Sequence, residues 1–156
     1  MKVLVTDYAW PDLEIEQAIL GAAGIELIAA TASDPSSLAA QVTEVDGILA
    51  CWATISREVI ENATRCRIVA RMGIGLDNID VQQCTKQNML VTNVPDYCAV
   101  DVAEHTLALL LAMARNIPYF HQQAKTGVYE LEPHSPLRRL AGQRLGIVGW
   151  GAIGQQ

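Results

Sequence analysis

The 156-residue sequence is short of several things, and each absence removes a class of function. No apolar run is long enough to span a bilayer: the longest candidate, Val100 to Ala114, is broken by Asp101, Glu104 and His105 and falls short of about 18 apolar residues. The start, MKVLVTDYAW, holds only Val3, Leu4 and Val5 before Thr6 and Asp7, too little for a secretory signal, so a cytoplasmic location is expected. Positive charge is scarce as well. Eleven Lys and Arg against seventeen Asp and Glu leave a net charge of -6, which gives no electrostatic grip on nucleic acid or on an acidic membrane. The four cysteines, Cys51, Cys66, Cys84 and Cys98, form no C-x-x-C pair and have no matching histidine cluster, so neither a zinc site nor a redox motif is expected. No internal repeat, charge block or low-complexity tract appears.

What is present is an apolar fraction of 51%, ample for a core, arranged as strands alternating with helices. Val3 to Val5, Glu26 to Ala30, Gly47 to Cys51, Ile68 to Ala70 and Met89 to Thr92 read as strands. Helices are expected around Ile15 to Ala22, closed by Gly24, around Leu38 to Val42 after the cap-like Ser36 and Ser37, after Ser56, and over Val81 to Lys86. This alternation implies a parallel sheet covered on both faces. Ligands on such sheets gather beyond the carboxyl ends of the strands, which draws attention to the loops Asp7 to Pro11, Trp52 to Thr54, Arg71 to Asp77 and Asn93 to Tyr97.

From Ala99 to Asn116 the pattern changes. Val100, Ala103, Leu107, Leu110, Leu111 and Ala114 line one helical face, while Val102, Leu109 and Met113 make a second. Such a helix reads as a connector between two bodies, with Pro118 ending it and a loop over Thr126 to Arg139, which contains Pro133, His134 and Pro136. Leu145, Ile147 and Val148 then read as a strand running into Gly149, Gly151 and Gly154 at the spacing G-x-G-x-x-G. In a dinucleotide turn the first glycine makes the tight bend, the second lets the backbone approach a pyrophosphate, and the third lets the next helix lie close. Glycine-rich turns also arise for packing alone.

Three segments stand in order: ARMGIGLDNID at Ala70 to Asp80, NVPDYCAVDVAEHTLALLLAMAR at Asn93 to Arg115, and LAGQRLGIVGWGAIG at Leu140 to Gly154. Together they resemble the D-isomer-specific 2-hydroxyacid dehydrogenases, in the branch related to the C-terminal-binding protein and the phosphoglycerate dehydrogenases. The resemblance implies an α/β fold. Residues 1–98 would form a flavodoxin-like, parallel-sheet substrate domain, and residues 99–156 the connector helix and the first strand and turn of a Rossmann domain. It implies a substrate carboxylate gripped by the main-chain N–H groups of Ile74 and Gly75, which agrees with the anion nest that successive N–H groups make in a glycine-rich bend. Trp52 stands either at the pocket mouth or in packing. Asp77 and Asn78 are expected to fix the bend by local hydrogen bonds, and Arg71 to pair internally rather than to meet substrate.

On the cofactor side the resemblance places Gly149, Trp150, Gly151, Ala152, Ile153 and Gly154 around the pyrophosphate of NAD, with NADP an alternative, and Val102 near the same coenzyme. Many relatives carry arginine where Ala152 stands. The implied reaction is oxidoreduction at a CH–OH group, hydride passing between a small 2-hydroxy or 2-keto acid and NAD(H), in a homodimer without metal. The family's catalytic arginine, acidic residue and histidine fall beyond the glycine turn, so no catalytic residue is expected in this chain, and His105, His121 and His134 are not candidates. The chain accordingly reads as the N-terminal part of such an enzyme, inactive alone. The alternative is a non-catalytic binding or dimerisation module of corepressor type.

Overall fold

The computed structural model describes residues 1–130 and 136–156. Pro133 and His134, assigned above to a loop, lie outside the described residues. The elements run β1 (Lys2–Val5), α1 (Glu14–Ala22), β2 (Glu26–Ala29), α2 (Pro35–Gln41), β3 (Gly47–Ala50), α3 (Arg57–Asn62), β4 (Ile68–Arg71), α4 (Val81–Lys86), β5 (Leu90–Thr92), α5 (Ala99–Ala114) and α6 (Ile117–Lys125). The chain divides into two compact units, Met1–Pro95 and Asp96–Gln156.

In the first unit five parallel strands are ordered β2-β1-β3-β4-β5, the flavodoxin-like order, in which the chain reverses direction of travel between β1 and β3. Short runs of Val, Leu and Ile suit strands buried within a parallel sheet. Leu4, Ile48 and Val69 from β1, β3 and β4 join Leu38, Val42, Val59 and Ile60 in one core cluster. At Gly47 a Cβ would meet Ile68 Cγ2 at 3.2 Å and Val3 Cγ2 at 3.4 Å, so the central strand is small where its two neighbours lean over it. Coverage by the helices is unequal. The α2, α3 and α4 helices bury residues, whereas α1 buries none and leaves Ile15 and Ile19 exposed.

Helix boundaries follow capping chemistry. Gly24, at φ 71°, closes α1, and the Ser56 hydroxyl accepts from Val59 N–H to open α3. One assignment needs correction: α2 is capped by Asp34, whose Oδ1 accepts from Ser37 N–H at 3.0 Å and Ser36 Oγ at 2.7 Å, while Ser36 and Ser37 are already inside the first turn. The carboxylate is a charged acceptor at a helix start, where the N–H groups without intrahelical partners and the helix dipole favour negative charge.

The second unit differs from expectation at three points. The α5 helix stops at Ala114, and Asn116 in the left-handed region (φ 53°), not Pro118, makes the break. Pro118 lies instead in the first turn of α6, where its missing N–H costs nothing because that group has no intrahelical partner. Leu145 to Val148 is not a strand: ladder hydrogen bonds require a neighbouring strand, and among the described residues none pairs with it. No described helix is long and apolar enough to cross a membrane.

Candidate functional site

The loops that follow β1, β3, β4 and β5 all leave the carboxyl end of the sheet. At the switch between β1 and β3 a ligand crevice is the ordinary expectation, but here the chain fills it with its own anion. Asp7, two residues past β1, accepts from the N–H groups of Cys51 (3.0 Å), Trp52 (2.7 Å) and Ala53 (3.1 Å) and from Thr6 Oγ1 (2.8 Å). Burial alone raises the pKa of this carboxyl. The donors, led by Trp52 N–H, outweigh it and hold the group below its ordinary value. The Cys51 thiol beside it is pushed up, by burial first and then by the negative Asp7, against the opposing pull of Arg71.

One strand further on, the bend after β4 is built the opposite way. Its carbonyls are tied: Gly73 O accepts from Val94 N–H at 3.0 Å and Ile74 O from Asn93 Nδ2 at 2.8 Å. The N–H groups of Ile74 and Gly75 donate to no acceptor among the described residues. Free donors facing one way with their carbonyls bound elsewhere are what an anion nest requires. Ile74 is half-buried and Gly75 exposed, so an acid can reach them.

Arg71, at the end of β4, donates from Nε to Asn78 Oδ1 at 3.2 Å, as the internal pairing foresees, and its Nη1 is buried with no acceptor among the described residues. Gly73 makes room for it, since a Cβ there would stand 2.7 Å from Nη1. Asn78 also donates from Nδ2 to Ala53 O at 2.8 Å, and Ile55 N–H donates to Asn78 O at 2.7 Å. The bend and the Trp52 loop are thereby joined at one end of the sheet. Trp52 itself is 65% exposed, its main-chain N–H held by Asp7, so it offers a ring and no free amide. Asp77 Oδ2 lies 3.3 Å from the position a Cβ on Gly75 would take.

Sequence reasoning singled out the bend and, in Asn78, one of its supports, but not Asp7 or Asn93, which act across loops. The available signal was the placement of Asp and Asn at the first positions after strands, where short polar side chains bind backbone.

In the second unit, Gly149 has φ 103° and a Cβ on Gly154 would collide with the Gly149 carbonyl. The turn is therefore closed on itself in a way only glycine permits at both ends. Gln155 N–H donates to Gly151 O at 3.1 Å, a first helical bond, and the N–H groups of Gly151, Ala152 and Ile153 have no acceptor among the described residues. Such a turn suits a pyrophosphate. Trp150 and Ala152 are exposed, Ile153 is 41% exposed, and Val102 stands in α5 with its N–H donating to Cys98 O at 3.0 Å. Neither His105 nor His121 bonds a carboxylate among the described residues, and His134 lies outside them. The described residues also hold no cluster able to ligate a metal.

Known proteins resemble the chain in sequence and in fold. The chain is 37% identical over 157 residues to D-3-phosphoglycerate dehydrogenase of Methanocaldococcus jannaschii, covering 100% of this chain and 29% of that protein. Among solved structures, D-lactate dehydrogenase of Aquifex aeolicus, complexed with NAD and lactic acid, superposes with a TM-score of 0.85 at 24% identity, over 99% of this chain and 46% of that one. NAD-dependent formate dehydrogenase of Staphylococcus aureus, in complex with NAD, matches with a TM-score of 0.73 at 26% identity, over 84% of this chain and 44% of the other. The family model for the catalytic domain of D-isomer specific 2-hydroxyacid dehydrogenases matches residues 3–149, and the chain belongs to that family.

Proposed function

We propose that these residues form the acid-holding portion of an NAD-dependent D-2-hydroxyacid dehydrogenase, and that the carboxylate of a small 2-hydroxy or 2-keto acid is held by the N–H groups of Ile74 and Gly75. The observation that carries this reading is the contrast between two bends: the N–H groups of 51–53 are consumed by Asp7, while those of Ile74 and Gly75 have no acceptor among the described residues and the carbonyls of Gly73 and Ile74 are tied. An acid therefore finds unspent donors at only one of them. Trp52 forms the rim beside the bound acid.

The glycine geometry at Gly149 and Gly154 and the free N–H groups of Gly151, Ala152 and Ile153 fit a dinucleotide pyrophosphate, with Trp150 flanking it and Val102 lining the coenzyme side. The nicotinamide, when bound, accepts or returns the hydride. This chain's own contribution is to bind and orient the acid. Proton transfer needs a base held by a partner, which neither His105 nor His121 has among the described residues, so the 156 residues alone turn over no substrate. A homodimer in the cytoplasm completes the proposal. The exposed apolar residues of α5 are what favours the corepressor-like alternative.

Amide NMR with pyruvate as the probe tests the reading. Saturable shifts confined to Ile74, Gly75 and their neighbours are expected, whereas shifts at Cys51 to Ala53 with none at the bend would overturn it. Calorimetric titration with NAD is expected to show no micromolar affinity for this chain.

A further inference from the structure

The first two peptide units of the bend are each held by their carbonyl. Every peptide bond described is trans, and in a trans peptide the C=O and the following N–H point in opposite directions across a rigid plane. Fixing one therefore aims the other. Val94 N–H holds Gly73 O, in the same peptide unit as Ile74 N–H, and Asn93 Nδ2 holds Ile74 O, in the same unit as Gly75 N–H. The first restraint is backbone to backbone. The second depends on one side chain, 19 positions away in sequence.

We infer that Asn93 is a positioning residue for the acid: its amide pins the Ile74–Gly75 peptide plane so that Gly75 N–H is aimed away from Asn93 and toward the bound carboxylate. This rests on the proposal that the bend holds the acid. Gly75 is the residue for which such a restraint matters most, because without a Cβ it accepts either sign of φ, which eases a flip of the Ile74–Gly75 plane, and a flipped plane would present a carbonyl to the carboxylate. Asn93 is itself exposed, where its amide would otherwise bond water with similar strength. Its contribution is thus orientation of the bend rather than stability of the fold. Asparagine is suited to this because its amide is a neutral donor, adding no charge beside the acid.

The experiment compares wild type, Asn93→Ala and Asn93→Asp by amide NMR in a weakly aligning medium, with and without pyruvate. In Asn93→Ala the N–H couplings of Gly75 are expected to change while those of Ile48 and Val69 in the core hold, and the pyruvate dissociation constant to rise roughly tenfold with no change in the unfolding midpoint. At neutral pH Asn93→Asp is expected to change the Gly75 couplings as Asn93→Ala does and to bind pyruvate more weakly still, its carboxylate setting a like charge beside the acid. Below about pH 4 its carboxyl is protonated and can donate to Ile74 O, so it recovers toward wild type measured at the same pH. A purely structural asparagine would lower the midpoint and show no such recovery of affinity. Unchanged Gly75 couplings in both variants overturn the inference whether or not pyruvate binds, and changed couplings with unchanged affinity overturn its link to the acid. Wild type that ignores pyruvate sinks the acid-binding reading instead, while the couplings still decide whether Asn93 aims the peptide.

Discussion

Ile60 in α3 and Leu109 in α5 are both large apolar residues on helices, yet the first is wholly buried and the second is 52% exposed. The same contrast holds for their units. In Met1–Pro95 residues from strands and helices close into one core cluster, whereas no residue of α5 or α6 is buried. Apolar periodicity tells which residues would gain by leaving water, but the gain is realised only where a second surface removes them from it. The parallel sheet supplies that surface for α2 and α3. For α5 the described residues do not.

The sharpest way to break this comparison is to truncate both side chains. Ile60→Ala is expected to cost about 2–5 kcal/mol, and Leu109→Ala less than about 0.5 kcal/mol, read as midpoint shifts in urea followed by circular dichroism. Equal costs would mean that Leu109 is buried in solution.

Next in size is the filled bend of the first unit. Asp7→Ala leaves the N–H groups of Cys51, Trp52 and Ala53 without their acceptor, at an expected cost of about 1–3 kcal/mol. The Asp7 pKa is lowered in the folded chain, so its stabilisation is complete above the unfolded value of about 3.9 and is lost as pH falls through the folded one. The gap between wild type and Asp7→Ala should therefore be wide at pH 6 and close in acid. A gap independent of pH would show that the lost packing, and not the carboxylate, matters.

Which parts of this were legible in the sequence follows from the range of the forces involved. Strands and helices of the first unit were legible because burial imposes a local period; α4 was expected over Val81 to Lys86 and is found there. Ile74 and Gly75 were picked out by the family resemblance, but the bonds that shape the two bends join residues far apart, 44 positions for Asp7 with Cys51 in the filled one and 19 for Asn93 with Ile74 in the open one. No window of sequence contains both partners. The strand at Leu145 to Val148 failed for a related reason, since strand character is a property of a pair. The helix α6 was hidden because Pro118 reads as a stop, when in a first turn it is neutral.

A smaller effect separates space from function within the bend. Gly73→Ala would set a Cβ 2.7 Å from Arg71 Nη1, and because the obstacle is the end of a flexible side chain, the expected loss of stability is only about 1 kcal/mol. The guanidinium must nevertheless move, releasing its bond to Asn78, and Asn78 is what joins the bend to the Trp52 loop. Pyruvate shifts at Ile74 and Gly75 should therefore weaken by more than the stability does. Parallel losses would reduce Gly73 to a packing position.

The smallest expected effect on stability concerns α5, and it is informative for that reason. Leu107, Leu110 and Leu111 share one helical face by their spacing, and each is between 37% and 49% exposed. Contiguous apolar surface of this kind promotes association between copies, so light scattering should report a mass that rises with concentration. Replacing Leu107 and Leu111 together by Glu removes the apolar stripe while leaving helix propensity about equal. Since neither side chain is buried, the unfolding midpoint should move by less than about 0.5 kcal/mol while association falls away. If the double variant instead unfolded the first unit, the two halves of the chain would be energetically coupled, and the contrast between buried Ile60 and exposed Leu109 would belong to the description of each unit alone.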